Sequence, residues 1–302
     1  MPQSLVHLSA IVELGGDSRL PPQVREALQR CPELARLGAI LPDLPFFSNI
    51  RRRALRQLLH LPQPGAAWAT RMHQEPALEL GVALLQPRSQ SRLGPLSRLA
   101  LAAGFFSHAA LDTALHPLVY RLIAQEGVQG QQASQTLHLS IEKLHSLILH
   151  RERWAEARRE LPVAELCDLR TEGQRPGTGL HIAESLRDMH GKAPLPADIV
   201  DWVEGFARYG RLVQQHPEWA EGGPVEIDRD RPRWFDGPQV ELLLERALSR
   251  ALRWFSLLDQ AFAPGDVLPA DLLRLASGFR RVSLDFTEDP FVEEERASPG
   301  VD

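Results

Sequence analysis

The stretch Leu99-Ala-Leu-Ala-Ala-Gly-Phe-Phe-Ser-His108-Ala-Ala-Leu-Asp112-Thr-Ala-Leu-His116-Pro117 decides how this chain is read. Between Arg98 and Arg121 the only formally charged side chain is Asp112, with a histidine four residues away on either side. So apolar a segment belongs in the middle of a fold, where an unpaired carboxylate is costly enough to protonate or be excluded. A bound cation is the partner that also uses both imidazoles. The pattern predicts a central helix from about Leu96 to Leu115, stopped or kinked at Pro117. Residues four apart on a helix lie about 40° apart around its axis. His108 and Asp112 can then share one ion and Asp112 and His116 a neighbouring one, with the carboxylate as bridge.

A second helix, expected over residues 131–158, carries Leu137, Ile141, Leu144 and Ile148 at helical spacing. His138 and Glu142 sit beside that stripe, again four apart. A His-x-x-x-Glu facing a His-x-x-x-Asp-x-x-x-His is the inward-facing arrangement of helical metal bundles. Asp43 repeats the isolation of Asp112, being the only charge between Leu37 and Phe47, although an aspartate between two prolines also suits a cap or turn. His7 lies in the apolar run Leu5-Val-His7-Leu-Ser-Ala-Ile-Val12, where a core histidine is the ordinary reading. His145 is a reserve ligand near the His138/Glu142 face. His150, among Arg151, Glu152 and Arg153, is expected to be solvent-exposed, and His181 and His190 are placed at a pocket mouth.

The chain has 302 residues, 34 basic and 39 acidic, for a net charge of −5. That balance gives no support to a nucleic-acid binder relying on an overall basic field. Arg51-Arg52-Arg53 is expected on a solvated helix face. Two cysteines, Cys31 and Cys167, are too few for a disulfide framework and form no Cys-x-x-Cys pair. No secretory signal is visible, and the apolar run at 99–120 contains Asp112 and two histidines, so a buried helix and a cytoplasmic location are expected. Val, Ile and Tyr are sparse, no series of alternating strands is seen, and the fold class is all-α. Helices are also expected to open at Pro21-Pro22 and Pro32, and to cover 49–60, 75–86, 179–190, 196–215 and 237–262. Residues 160–178 and 217–238 read as a polar loop and an insert. One domain is expected over 1–284, with an acidic flexible tail at 285–302.

The ordered set His7, Ala39-Ile-Leu-Pro42-Asp43, His108-x-x-x-Asp112, His116-Pro117 and His138-x-x-x-Glu142 resembles the zinc-dependent phospholipase C family. Its all-helical fold is shared with the zinc single-strand nucleases of fungi and plants. By motif the resemblance covers roughly residues 1–150. It implies a multi-helix bundle with a buried metal cluster, in which Asp43, His108 and Asp112 hold a first zinc together with one intervening histidine. His73 is preferred over His60 for that place. It implies further that His116, His138 and Glu142 hold a second zinc, and that a third would draw on His7 and Asp112. Secreted members complete the third site with the mature amino-terminal residue, which the Met-Pro start does not match, and the Asp112-to-His116 spacing is shorter than in the phospholipases. The implied activity is hydrolysis of a small phosphoester or phospholipid, most readily a phosphodiester, with Asp43 orienting or deprotonating the attacking water. Rival readings are a His-Asp-doublet phosphohydrolase, a di-iron oxygenase, and a non-catalytic helical interaction protein with a structural or vestigial metal site. The chain has no adjacent His-Asp pair and no duplicated Glu-x-x-His.

Overall fold

The computed structural model describes residues 4–50, 64–74, 77–215 and 227–262, with positions 270, 274, 276 and 284. Among them the chain is helical throughout, without strands. In order come α1 (Ser4–Gly15), α2 (Pro22–Arg30), α3 (Pro32–Ile40), a 3-10 turn (Leu44–Phe47), α4 (Ala66–His73), α5 (Ala77–Leu85), α6 (Pro95–Gln125) and α7 (Gln131–Glu152). The short α8 (Ala155–Glu160), α9 (Val163–Leu166) and α10 (Arg170–Gly173) follow. Then come α11 (Pro176–His190), α12 (Pro196–Gln215), α13 (Ile227–Trp234) and α14 (Gly237–Ala261). Proline opens α2, α3, α6 and α11, where its missing N–H removes a donor that would have no helical partner.

α6 is the axis of the fold: α1, α2, α3, α5, α7 and α14 all pack on it. Every residue from Leu99 to Ala114 is buried, so over this span the helix has no solvent face and no amphipathic stripe. One apolar cluster runs from Leu5 on α1 to Leu258 on α14 and includes Leu284. Among the described residues no helix is long and apolar enough to cross a membrane.

Several boundaries differ from the sequence reading. α6 runs through Pro117 to Gln125 instead of stopping near Leu115. Proline deletes one helical hydrogen bond, but His116, Leu118 and Val119 are all buried around it, and their packing holds the helix together. α7 ends at Glu152, short of residue 158. There Arg153 turns to Glu13, with N–O distances of 2.6 and 3.2 Å, and the Trp154 indole donates to the same carboxylate at 2.6 Å. Residues 160–178 are no plain loop. They form α9 and α10, which pack on α12 and bury Leu166, Cys167 and Leu169. α13 occupies the end of the expected insert, anchored by the Trp234 indole donating to Glu126 at 2.8 Å. The helix expected at 49–60, Arg51 to Arg53, His60, His216 and the tail at 285–302 lie outside the described residues.

Candidate metal centre

Two glycines set the geometry. A Cβ on Gly104 would lie 1.9 Å from the Ala35 carbonyl oxygen, and one on Gly38 would lie 2.0 Å from that of Leu101. α3 and α6 therefore cross backbone to backbone. That approach places the Ala39 carbonyl 2.9 Å from Nδ1 of His108, one turn beyond Gly104. It also delivers Asp43, just past the end of α3, to the same region. Asp43 occupies the cap position of the 3-10 turn, yet its side chain caps nothing and faces His73 instead. The turn reading of this aspartate is thus correct for its backbone and wrong for its carboxylate.

A carbonyl accepts and never donates, so its partner ring nitrogen carries the hydrogen. His108 donates from Nδ1 to Ala39, His73 to the Ala69 carbonyl at 2.8 Å, and His116 to the Leu284 carbonyl at 2.7 Å. In each neutral ring Nε2 is then a lone pair, and in each it is aimed at a carboxylate. His108 Nε2 lies 3.0 Å from Asp112 Oδ2, and His73 Nε2 lies 3.4 Å from Asp43 Oδ1 and 3.6 Å from Asp112 Oδ2. His7 Nε2 lies 3.3 Å from Asp112 Oδ1, its ring stacked on that of His108 at 3.9 Å. On the other side His116 Nε2 is 3.8 Å from Asp112 Oδ1 and 2.9 Å from Glu142 Oε1, which His138 Nε2 approaches to 2.8 Å.

These contacts fall into three donor groups: His7, His108 and Asp112; Asp43, His73 and His108; and His116, His138 and Glu142. The two Asp112 oxygens face different neighbours, Oδ2 toward His108 and His73 and Oδ1 toward His7 and His116. Donors at the 2.0–2.1 Å distance of tetrahedral zinc are themselves about 3.3–3.4 Å apart. The distances around Asp43 and Asp112 straddle that value, while Glu142 must open by a few tenths of an ångström. Among the described residues His108 Nε2, Asp112 Oδ2 and His7 Nδ1 are buried without a hydrogen-bond partner. A lone pair fixed beside an anionic oxygen is repulsive unless a cation lies between them, so the residues fit a divalent ion.

The electrostatics agree. Asp43, Asp112 and Glu142 are all buried, and removing such charges from water costs several kcal/mol each unless they are compensated. Burial works against ionisation of Asp112, but His108, His116 and His7 outweigh it and hold the carboxyl well below its usual range. Burial is likewise outweighed at Asp43, chiefly by His73, and at Glu142 by His138 and His116, and both are pushed down. At His73 burial disfavours the charge, yet Asp43 and Asp112 raise the imidazole to about 9. At His108 burial, together with the neighbouring His7, outweighs Asp112 and Asp43, and the imidazole is pushed down. Without an ion, a proton on His73 supplies part of the missing positive charge.

The centre opens into a cavity of about 450 Å³ lined by His7, Asp43, His73, Asp112, His116, His138 and Glu142. Phe46, Tyr120 and Leu139 add apolar surface, and Thr70, Gln74, Ser134 and Gln135 add neutral polar groups. None of these seven was singled out from sequence. Tyr120 was the most readable, being one turn beyond His116, and its ring packs edge-on to His138 at 5.1 Å.

The structure brings together His7, Asp43, His73, His108, Asp112, His116, His138 and Glu142. It takes His145 out of the donor groups, because Nε2 donates to the Trp234 carbonyl at 2.6 Å. His150 is buried, not exposed, and contacts Ser9 Oγ at 3.3 Å. Steps of four residues drift about 40° each, so His150 lies about 80° around α7 from Glu142; it is buried because α1 packs on this helix. His181 is fully buried between the Leu84 carbonyl, 2.7 Å from Nε2, and Ser91 Oγ, 3.1 Å from Nδ1, and does not line the cavity of the metal centre. No family model, curated protein or solved structure matches this chain.

Proposed function

We propose that this protein is a zinc-dependent phosphoester hydrolase, acting most readily on a phosphodiester, in the manner of the zinc-dependent phospholipase C family it resembles by motif. The observation that carries the reading is Asp112. Its two oxygens lie 3.0–3.8 Å from the Nε2 atoms of His7, His73, His108 and His116, between the donor groups, and it lines with them a cavity large enough for a small ligand. Imidazole and carboxylate donors without cysteine suit zinc at a reactive site more than a structural knot.

Asp43, His73, His108 and Asp112 would hold one ion, and His116, His138 and Glu142 a second, with His7 beside Asp112 available to a third. When bound, zinc lowers the pKa of water and neutralises charge on a phosphoryl oxygen. The backbone carbonyls of Ala39, Ala69 and Leu284 keep His108, His73 and His116 in the tautomer that directs Nε2 inward. Asp43 stays ionised beside His73, and its carboxylate orients the attacking water and accepts its proton. Phe46, Tyr120 and Leu139 restrict water around the reacting group and favour a substrate with an organic arm.

Metal analysis of the purified chain, paired with hydrolysis of bis(p-nitrophenyl) phosphate before and after chelation, tests this reading. Zinc near two equivalents with chelator-sensitive turnover is expected. Iron in its place would support an oxidative enzyme. Zinc without turnover of any phosphoester would support a structural site.

A further inference from the structure

The loop that carries Asp43 is gripped from the C-terminal half of the chain, where the sequence motifs are silent. Asp201 on α12 accepts the Asn49 N–H at 2.9 Å and the Ser48 hydroxyl at 3.0 Å, both through Oδ2. Asn49 has φ of +50°, a left-handed conformation that asparagine tolerates, and the Asp201 carboxylate holds its N–H in place. One turn along, a Cβ on Gly205 would lie 2.0 Å from the Phe47 carbonyl oxygen. The Phe47 ring packs on Phe206 at 4.7 Å and on Tyr209 at 5.2 Å. A Cβ on Gly65 would likewise lie 2.0 Å from the Pro45 carbonyl oxygen. Gly65 caps α4, which ends on His73.

We propose that Asp201 and Gly205 are positioning residues for the metal centre. They fix the 43–49 loop so that Asp43 meets His73 and Phe46 forms the adjoining cavity wall. Neither residue lines the cavity, so both act through the loop backbone. Backbone contacts at Phe47 and Pro45 and the Asp201 hydrogen bonds to Ser48 and Asn49 hold the loop at three places. Displacing the loop by one ångström separates Asp43 from His73 while His116, His138 and Glu142, held on α6 and α7, stay in place. The inference rests on the metal-centre reading and predicts an asymmetry which that reading alone does not contain.

The test is zinc titration of the full chain against a chromogenic chelator, with melting curves recorded in EDTA. Asp201→Ala is expected to weaken one zinc equivalent by about 10–100-fold, the range for loss of a residue that orients a ligand, leaving the other unchanged. Gly205→Ala should do the same. Asp201→Asn keeps an acceptor oxygen and should restore most of the affinity. Unchanged binding in both Asp201→Ala and Gly205→Ala would overturn the proposal. So would equal weakening of both equivalents together with a lower melting temperature in EDTA, because that is general loosening of the fold. A wild-type chain that takes up no zinc would overturn the metal-centre reading itself, an outcome distinct from the other two.

Discussion

Gly104→Ala is the sharpest probe of how the fold builds its site. The added methyl would begin 1.9 Å from the Ala35 carbonyl oxygen and 2.7 Å from the Ala39 nitrogen. Both neighbours are main chain, so no side chain can rotate away. Reaching even 3.0 Å from Ala35 requires α3 and α6 to part by about 1.1 Å, the difference between 3.0 and 1.9. The same motion pulls the Ala39 carbonyl from His108 Nδ1, now 2.9 Å away. Overpacking of this kind costs about 3 kcal/mol, and an unpaired buried partner about 2 kcal/mol more. The better helix propensity of alanine returns about 1 kcal/mol. A net loss near 4 kcal/mol is therefore expected from urea denaturation in EDTA, with zinc affinity reduced about 10–100-fold because His108 loses its orienting carbonyl. A variant as stable as the parent, or slightly more so as propensity alone dictates, would refute the backbone-to-backbone crossing.

Three further outcomes follow from the site and its surroundings. Asp112→Asn removes the carboxylate that lies between His108 and His116 and should lose zinc and hydrolysis together; unchanged zinc content by elemental analysis would count against its bridging place. His150→Ala should lower stability by about 1–3 kcal/mol, through loss of a buried imidazole and its Ser9 contact, without altering zinc content. Burial is the main reason His181 is pushed down to about 4 from its ordinary 6.5. Its folded pKa is depressed, so the unfolded chain binds this proton first as pH falls. Its contribution is complete above pH 6.5 and is lost as pH falls from 6.5 to about 4, a change of about 3 kcal/mol. Unfolding curves at pH 7 and 4.5 should show a smaller drop for His181→Gln than for the parent; equal drops would contradict the assignment.

The residues legible in sequence were those whose chemistry clashed with their surroundings. Asp112 and Asp43 stood out because a lone carboxylate in apolar sequence needs a reason, and both prove to be buried against imidazoles. The i, i+4 spacing on α6 and α7 placed His108, His116, His138 and Glu142 before any coordinates. The resemblance leaves His60 and His73 both open and the context of His73, just before an amphipathic helix, favours it; His73 lies in the cavity, whereas His60 falls outside the described residues. What escaped depended on tertiary context. His150 reads as exposed from its charged neighbours, because the packing of α1 that buries it is tertiary and leaves no local signal. Pro117 reads as a stop or a kink because local rules count a lost hydrogen bond and cannot count the burial around it. Gly38, Gly104 and Gly205 carry no signal on their own; their meaning lies in the backbone each one meets. The same holds for Asp201, which acts on a loop 152 residues away.

Anomalous diffraction at the zinc edge, from crystals of the full chain grown with zinc, tests the metal centre most directly. The expected map shows a peak on each side of Asp112, one within bonding distance of Asp43, His73 and His108 and the other within reach of His116, His138 and Glu142. A map with no peak between His108 and His138, or with zinc bound only at the surface, would contradict it.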